Sequence, residues 1–86
     1  MLALESIESQ YIEAMKKFIN SCELFKFTHL RFINYRNGLF QFHAQTQESK
    51  EAVILKLDPY SLEIYGSFWE SNIGFYLGQL EYGVHY

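Results

Sequence analysis

The stretch FTHLRFINYRNGLFQFHAQTQ, residues 27–47, decides the fold. Asn37-Gly38 supplies the positive φ angles that a tight hairpin turn requires. Both flanks are rich in the aromatic and β-branched side chains that suit a pleated, half-buried surface. Residues 27–36 and 39–47 are therefore expected as an antiparallel pair. Two registers compete. A two-residue turn at Asn37-Gly38 sets Tyr35 opposite Phe40, Ile33 opposite Phe42 and Arg31 opposite Ala44. A three-residue loop, Arg36-Asn37-Gly38 with a glycine bulge, slips the pairing by one. Phe32 then opposes Phe42, Leu30 opposes Ala44, and His29, Arg31, Gln41, His43 and Gln45 share the other face. The second register keeps Arg31 out of the core and segregates polar from apolar residues more cleanly, so it is the one favoured.

Upstream of the hairpin, the period of the apolar residues is helical. Leu4, Ile7, Tyr11, Met15, Phe18 and Cys22 recur at spacings of three and four, which places them on one side of a helix over residues 4–22. Glu8, Glu13, Lys16, Lys17 and Asn20 fall mainly on the other side. The early acids Glu5 and Glu8 suit the positive end of the helix dipole.

Downstream, residues 52–57 alternate as a strand, with Val53, Leu55 and Leu57 on one face. Asp58-Pro59-Tyr60-Ser61 is a turn, because proline presets φ at its second position. Residues 62–69 return with Leu62, Ile64, Gly66 and Phe68 pointing one way and Glu63, Tyr65, Ser67 and Trp69 the other. Residues 79–86 alternate again as a terminal strand. Residues 73–78 stay open between strand, turn and helical turn. The expected architecture is α+β: one domain over 1–86, its N-terminal amphipathic helix packed on an antiparallel meander of four to five strands. In element order it resembles cystatin-like grips and small Sm- or SH3-like barrels, a likeness of architecture that carries no function.

Composition narrows the function classes. An apolar fraction of 49% is that of a globular chain, and at 86 residues the core is modest. The single cysteine, Cys22, forbids an internal disulfide and a cysteine-based zinc site, which leaves a partner chain as the expected support. No run approaches the roughly 18 apolar residues of a membrane span. The N-terminus lacks the basic segment and apolar run of a secretory leader, so a cytoplasmic location is expected. Charge is uneven: after residue 50, Lys56 stands against Glu51, Asp58, Glu63, Glu70 and Glu81. That balance argues against nucleic acid, although Lys26, Arg31 and Arg36 lie near Tyr35.

Catalytic signatures are missing. There is no nucleophile elbow, no phosphate-binding glycine loop and no paired carboxylate with a reason to be shifted. In the favoured register His29 and His43 are diagonal neighbours roughly 7–8 Å apart, but they lack the third ligand that a metal requires. No enzyme activity, metal or cofactor is expected.

What remains is aromatic. Tyr60, Tyr65, Trp69, Tyr76, Tyr82 and Tyr86 crowd the acidic C-terminal third. Tyrosine and tryptophan are the side chains that anchor protein interfaces. The sequence therefore reads as a small non-catalytic interaction module of inhibitor, immunity, regulatory or assembly type. Tyr65, Trp69, Tyr82 and Tyr86 would bury against another protein chain, self (a homodimer) or foreign, while Glu63, Glu70 and Glu81 set charge complementarity. The alternative is a small-ligand pocket between helix and curled sheet, with Tyr11, Tyr65 or His43 as polar handles.

Overall fold

The structure is a computed structural model. It describes the backbone of residues 4–48 and 51–80, and the side chains of residues 9–48 and 51–80. Helix α1 (Leu4–Ser21) leads into β1 (Phe27–Arg36), β2 (Leu39–Thr46), β3 (Ala52–Leu57), β4 (Glu63–Phe68) and β5 (Gly74–Gln79). Each strand pairs antiparallel with the one before it, giving the order β1-β2-β3-β4-β5. This is the α+β helix-on-meander that the sequence implies. The barrel-like variant does not form: β1 and β5 are separate edges of an open sheet.

The helix forms where its spacing places it. Tyr11, Met15 and Ile19 recur every four residues and are buried, whereas Gln10, Glu13, Lys16, Lys17 and Asn20 are exposed. At its end the Ser21 hydroxyl folds back on the Phe18 carbonyl at 3.0 Å. The buried stripe lies on one face of the sheet, against Phe40, Phe42, Ala44, Val53, Leu55, Leu57 and Ile64. The Tyr11 and Phe40 rings meet at 4.8 Å, and the Tyr11 hydroxyl donates to the Pro59 carbonyl at 3.4 Å. Phe25, in the loop after α1, closes one end of this core. Its ring sits 5.1 Å from Phe75 and 5.9 Å from Phe68.

The hairpin combines both expected registers. Asn37 and Gly38 have φ of 56° and 79°, and Arg36 opposes Leu39 with Tyr35 opposite Phe40, so the loop has two residues rather than three. The extra residue sits inside the strand instead. An irregularity between Phe32 and Asn34 absorbs Ile33 and restores Phe32 opposite Phe42. A second, between Thr28 and Arg31, takes up His29 and Leu30, so Leu30 does not form the expected regular pair with Ala44. His29 there has φ of 56°. The turn obeys Asn-Gly, and the bulges obey the demand that Phe32 face the core and Arg31 face away.

The second turn is held by Asp58, whose carboxylate accepts the N–H of Tyr60 at 2.8 Å and of Ser61 at 3.3 Å. Within the open segment 73–78 the chain forms most of β5. The terminal strand expected over 79–86 falls largely on residues 81–86, outside the described residues. Leu80 is buried and donates its N–H to the Leu62 carbonyl at 2.9 Å.

Candidate functional site: the outer face of the sheet

Strand alternation gives the sheet a second face, opposite α1. Register sets two rows across it: Asn34, Gln41, Lys56, Tyr65 and Tyr76, then Arg31, His43, Ile54, Ser67 and Gly74. The face divides by chemistry. Over β1 and β2 it is polar, as expected for the outside of an antiparallel sheet. Over β4 and β5 it is aromatic: Tyr65 and Tyr76 remain 43% and 52% exposed, with ring centroids 5.3 Å apart.

Glu63 organises the acidic side of this patch. Its carboxylate accepts the Tyr65 hydroxyl at 2.8 Å and the Ser61 hydroxyl at 3.4 Å. The Ser61 carbonyl accepts the Gln79 side-chain amide at 2.5 Å, tying β5 to the turn before β4. The hydrogen bond to Glu63 holds the Tyr65 pKa above the ordinary phenol value, and partial desolvation and the negative charge of Glu63 push the same way.

Trp69 extends the patch. Its N–H donates to the Ala52 carbonyl at 2.9 Å, continuing the β3–β4 ladder one residue beyond β4. By alternation it stands on the same face as Tyr65, about 13 Å along the strand, and is 66% exposed. Ile73, at the other end of the turn, is also exposed. Glu70 opens the turn and donates its N–H to the Glu51 carboxylate at 3.2 Å, so two acids lie beside the tryptophan.

The structure thus brings together Glu63, Tyr65 and Trp69, with Glu70 at the adjoining turn. Tyr82, Tyr86 and Glu81, expected in the same site, lie outside the described residues. Tyr76 joins the patch without having been assigned to it from the sequence, whereas Ile73, opposite Phe68, falls on the helix-covered side by the same alternation. The available signal was the alternation of Gly74-Phe75-Tyr76-Leu77, which two glycines obscured. At the opposite edge Ile33 and Tyr35 are exposed as well, with Tyr35 leaning on Phe40 at 4.8 Å.

The other candidates separate. His29 sits at a bulge and is exposed, while His43 lies on the outer face between Arg31 and Ile54. Among the described residues no group of three or more His, Cys, Asp or Glu could hold a metal ion. Cys22 packs partly buried against the core. Tyr11 belongs to the helix-covered face, whereas Tyr65 and His43 belong to the outer one, so these three handles do not line one pocket. No helix among the described residues is long and apolar enough to cross a membrane.

Fold and face together define an α+β domain with one sheet surface under a helix and an exposed, half-aromatic surface on the other side. No protein-family model, curated protein or solved structure matches the chain.

Proposed function

We propose that this protein is a non-catalytic interaction module that binds a foreign protein chain through the β4–β5 part of its outer sheet face. The observation that carries this reading is the cluster of large aromatic side chains on that face: Tyr65 beside Tyr76, with Trp69 further along the same strand. Rigid aromatics of this kind give contact area at low entropic cost, and hot spots concentrate on them. Glu63, Glu70 and Glu51 rim the patch, so its complement is an apolar surface bordered by Lys or Arg. Two copies of this face would oppose acid to acid, which favours a foreign partner over self-association at this surface.

The test compares affinity capture by the wild type, by Trp69→Ala and by Asn20→Ala, an exposed change on the helix. A specific partner should be retained by wild type and by Asn20→Ala. Trp69→Ala should weaken it by about thirtyfold, the effect of losing a hot-spot side chain. A partner held equally by all three folded proteins would show that binding occurs elsewhere.

A further inference from the structure

The outer face is divided by charge as well as by aromatic content. Strands β1, β2 and β3 contain no Asp or Glu, and their Arg31, Arg36 and Lys56 all stand on the outer face by register. All three are exposed, and among the described residues none of them is in an ion pair. This half of the face is therefore locally basic on a chain whose net charge is −3. We infer that it is a binding site for carboxylates, over which the foreign chain proposed above lays an acidic segment, an inference that rests on that proposal for the kind of ligand and on the three cations for its place.

Register spreads the cations. Arg31 lies opposite His43 and Arg36 opposite Leu39, which separates the two by about 13 Å along the strands. Lys56 lies opposite Gln41, two strands and one row from each arginine, about 12 Å away. Between them stand the His43 imidazole and the Gln41 and Asn34 amides, groups that bond an acid without repelling it. The acids that border this half are engaged at its rim. The Asp58 carboxylate accepts the N–H groups of Tyr60 and Ser61, and the Glu63 carboxylate accepts the Tyr65 and Ser61 hydroxyls. At the opposite end Glu48 accepts the Lys26 N–H at 3.2 Å.

Spacing and charge order select the occupant. A single small anion would meet all three cations only if each long side chain lay flat on the sheet, at a cost in rotamer freedom. An acidic segment with carboxylates spread along it meets each cation where it stands, and the two arginines offer the planar fork that pairs a carboxylate through two hydrogen bonds. Nucleic acid is also a spread polyanion, but its phosphates would run on to Glu63 and Glu70 beside the aromatic rings, where the charge is of their own sign. A protein surface can change sign along its length: acidic over β1–β3, apolar over Tyr65 and Tyr76, basic at Glu63 and Glu70. Such a partner docks in one orientation, because turning it round sets like charges together at both ends.

The experiment titrates the isotopically labelled protein with an acetylated hexaglutamate peptide, with hexalysine and an oligothymidylate as comparisons, followed by NMR. Hexaglutamate should shift the amides of Arg31, His43 and Lys56, and raising the salt from about 20 mM to about 200 mM should abolish the shifts. Hexalysine should leave those amides unmoved. Arg31→Glu combined with Lys56→Glu, both at exposed side chains, should weaken hexaglutamate by roughly tenfold or more. Circular dichroism checks that the double variant remains folded. Hexaglutamate shifts that are absent, scattered beyond β1–β3 or unchanged by the double reversal would overturn the inference. An oligothymidylate bound more tightly over the same residues would overturn it too, in favour of nucleic acid. Affinity capture separates this site from the aromatic one. A partner lost by Trp69→Ala but held equally by the double reversal would leave the aromatic face standing and remove the basic half. Hexaglutamate bound at Arg31 and Lys56, with capture indifferent to Trp69→Ala, would do the opposite.

Discussion

Gly66→Ala tests how the sheet and the aromatic end of the core fit together. Gly66 sits on the helix-covered face of β4, paired with Leu55 on one side and Phe75 on the other. A Cβ placed there would lie 2.3 Å and 2.4 Å from two carbons of the Phe75 ring and 3.1 Å from a Leu55 methyl. The ring of Phe75 therefore occupies the space that any other residue would need. It cannot swing aside freely, since it packs at 5.1 Å against both Phe25 and Phe68. Overpacking of this kind costs about 1–3 kcal/mol. The backbone gain from replacing a strand glycine offsets roughly 0.5–1 kcal/mol of that. A net loss of about 1–2 kcal/mol is expected, which lowers the Tm of a domain this size by roughly 4–16 °C. Urea and thermal unfolding followed by circular dichroism read it directly. Gly74→Ala is the control: its Cβ would meet only the Gly66 carbonyl oxygen, at an ordinary 3.7 Å. Gly66→Ala combined with Phe75→Leu should cost less than the sum of the two singles, because the smaller side chain vacates the contested space. A Gly66→Ala protein as stable as wild type, or additive with Phe75→Leu, would refute the account of Phe75 as a ring resting on a glycine.

Two further outcomes follow from polar groups near the bulges and the acidic patch. Asn34, just after the bulge at Ile33, has its side-chain carbonyl oxygen buried with no hydrogen-bond partner among the described residues; Asn34→Thr should raise stability by about 1 kcal/mol, measured as a shift in urea midpoint at constant slope. The raised pKa of Tyr65 means that the folded state resists its ionisation more than the unfolded state does. Its contribution is present below the unfolded phenol value near 10 and is lost as pH rises through the folded value. Glu63→Gln should move the ultraviolet titration of Tyr65 back toward that ordinary value, and a titration that does not move would remove Glu63 as the cause.

The sequence made the elements legible because their periods are clean. Tyr11, Met15 and Ile19 mark the helix, and the alternating Val53, Leu55 and Leu57 mark a central strand, each by a repeat that only one backbone geometry can bury. The hairpin was harder, and for a physical reason. Asn37-Gly38 dictates a two-residue turn, while the side chains of Phe32 and Arg31 dictate a pairing one residue out of step with it. From sequence the conflict looks like a choice between two loops. The chain resolves it by keeping the turn and inserting Ile33 as a bulge, a solution that leaves no residue-type signature because almost any residue can occupy such a bulge. His29 is the second case: a histidine in left-handed conformation gives no warning where glycine would.

The candidate site was legible only as far as register was. Glu63, Tyr65 and Trp69 share a face through simple alternation along one strand, so their grouping needed nothing but the period of two. Tyr76 needed the neighbouring strand, and Gly74 and Gly78 hid that strand. Those glycines weaken both helix and strand propensity, yet each fits its setting here. Gly78 has φ of 140°, a region that side-chain-bearing residues rarely enter, and the Phe18 ring lies 3.3 Å from where its Cβ would stand. Gly74 stands next to Gly66 with only a backbone oxygen near its missing Cβ. The sheet thus spends its glycines where rings cross from one element to another, Phe75 over Gly66 and Phe18 beside Gly78. Anchoring β5 by rings on the covered side leaves Tyr76, on the outer face, free of any duty to the core.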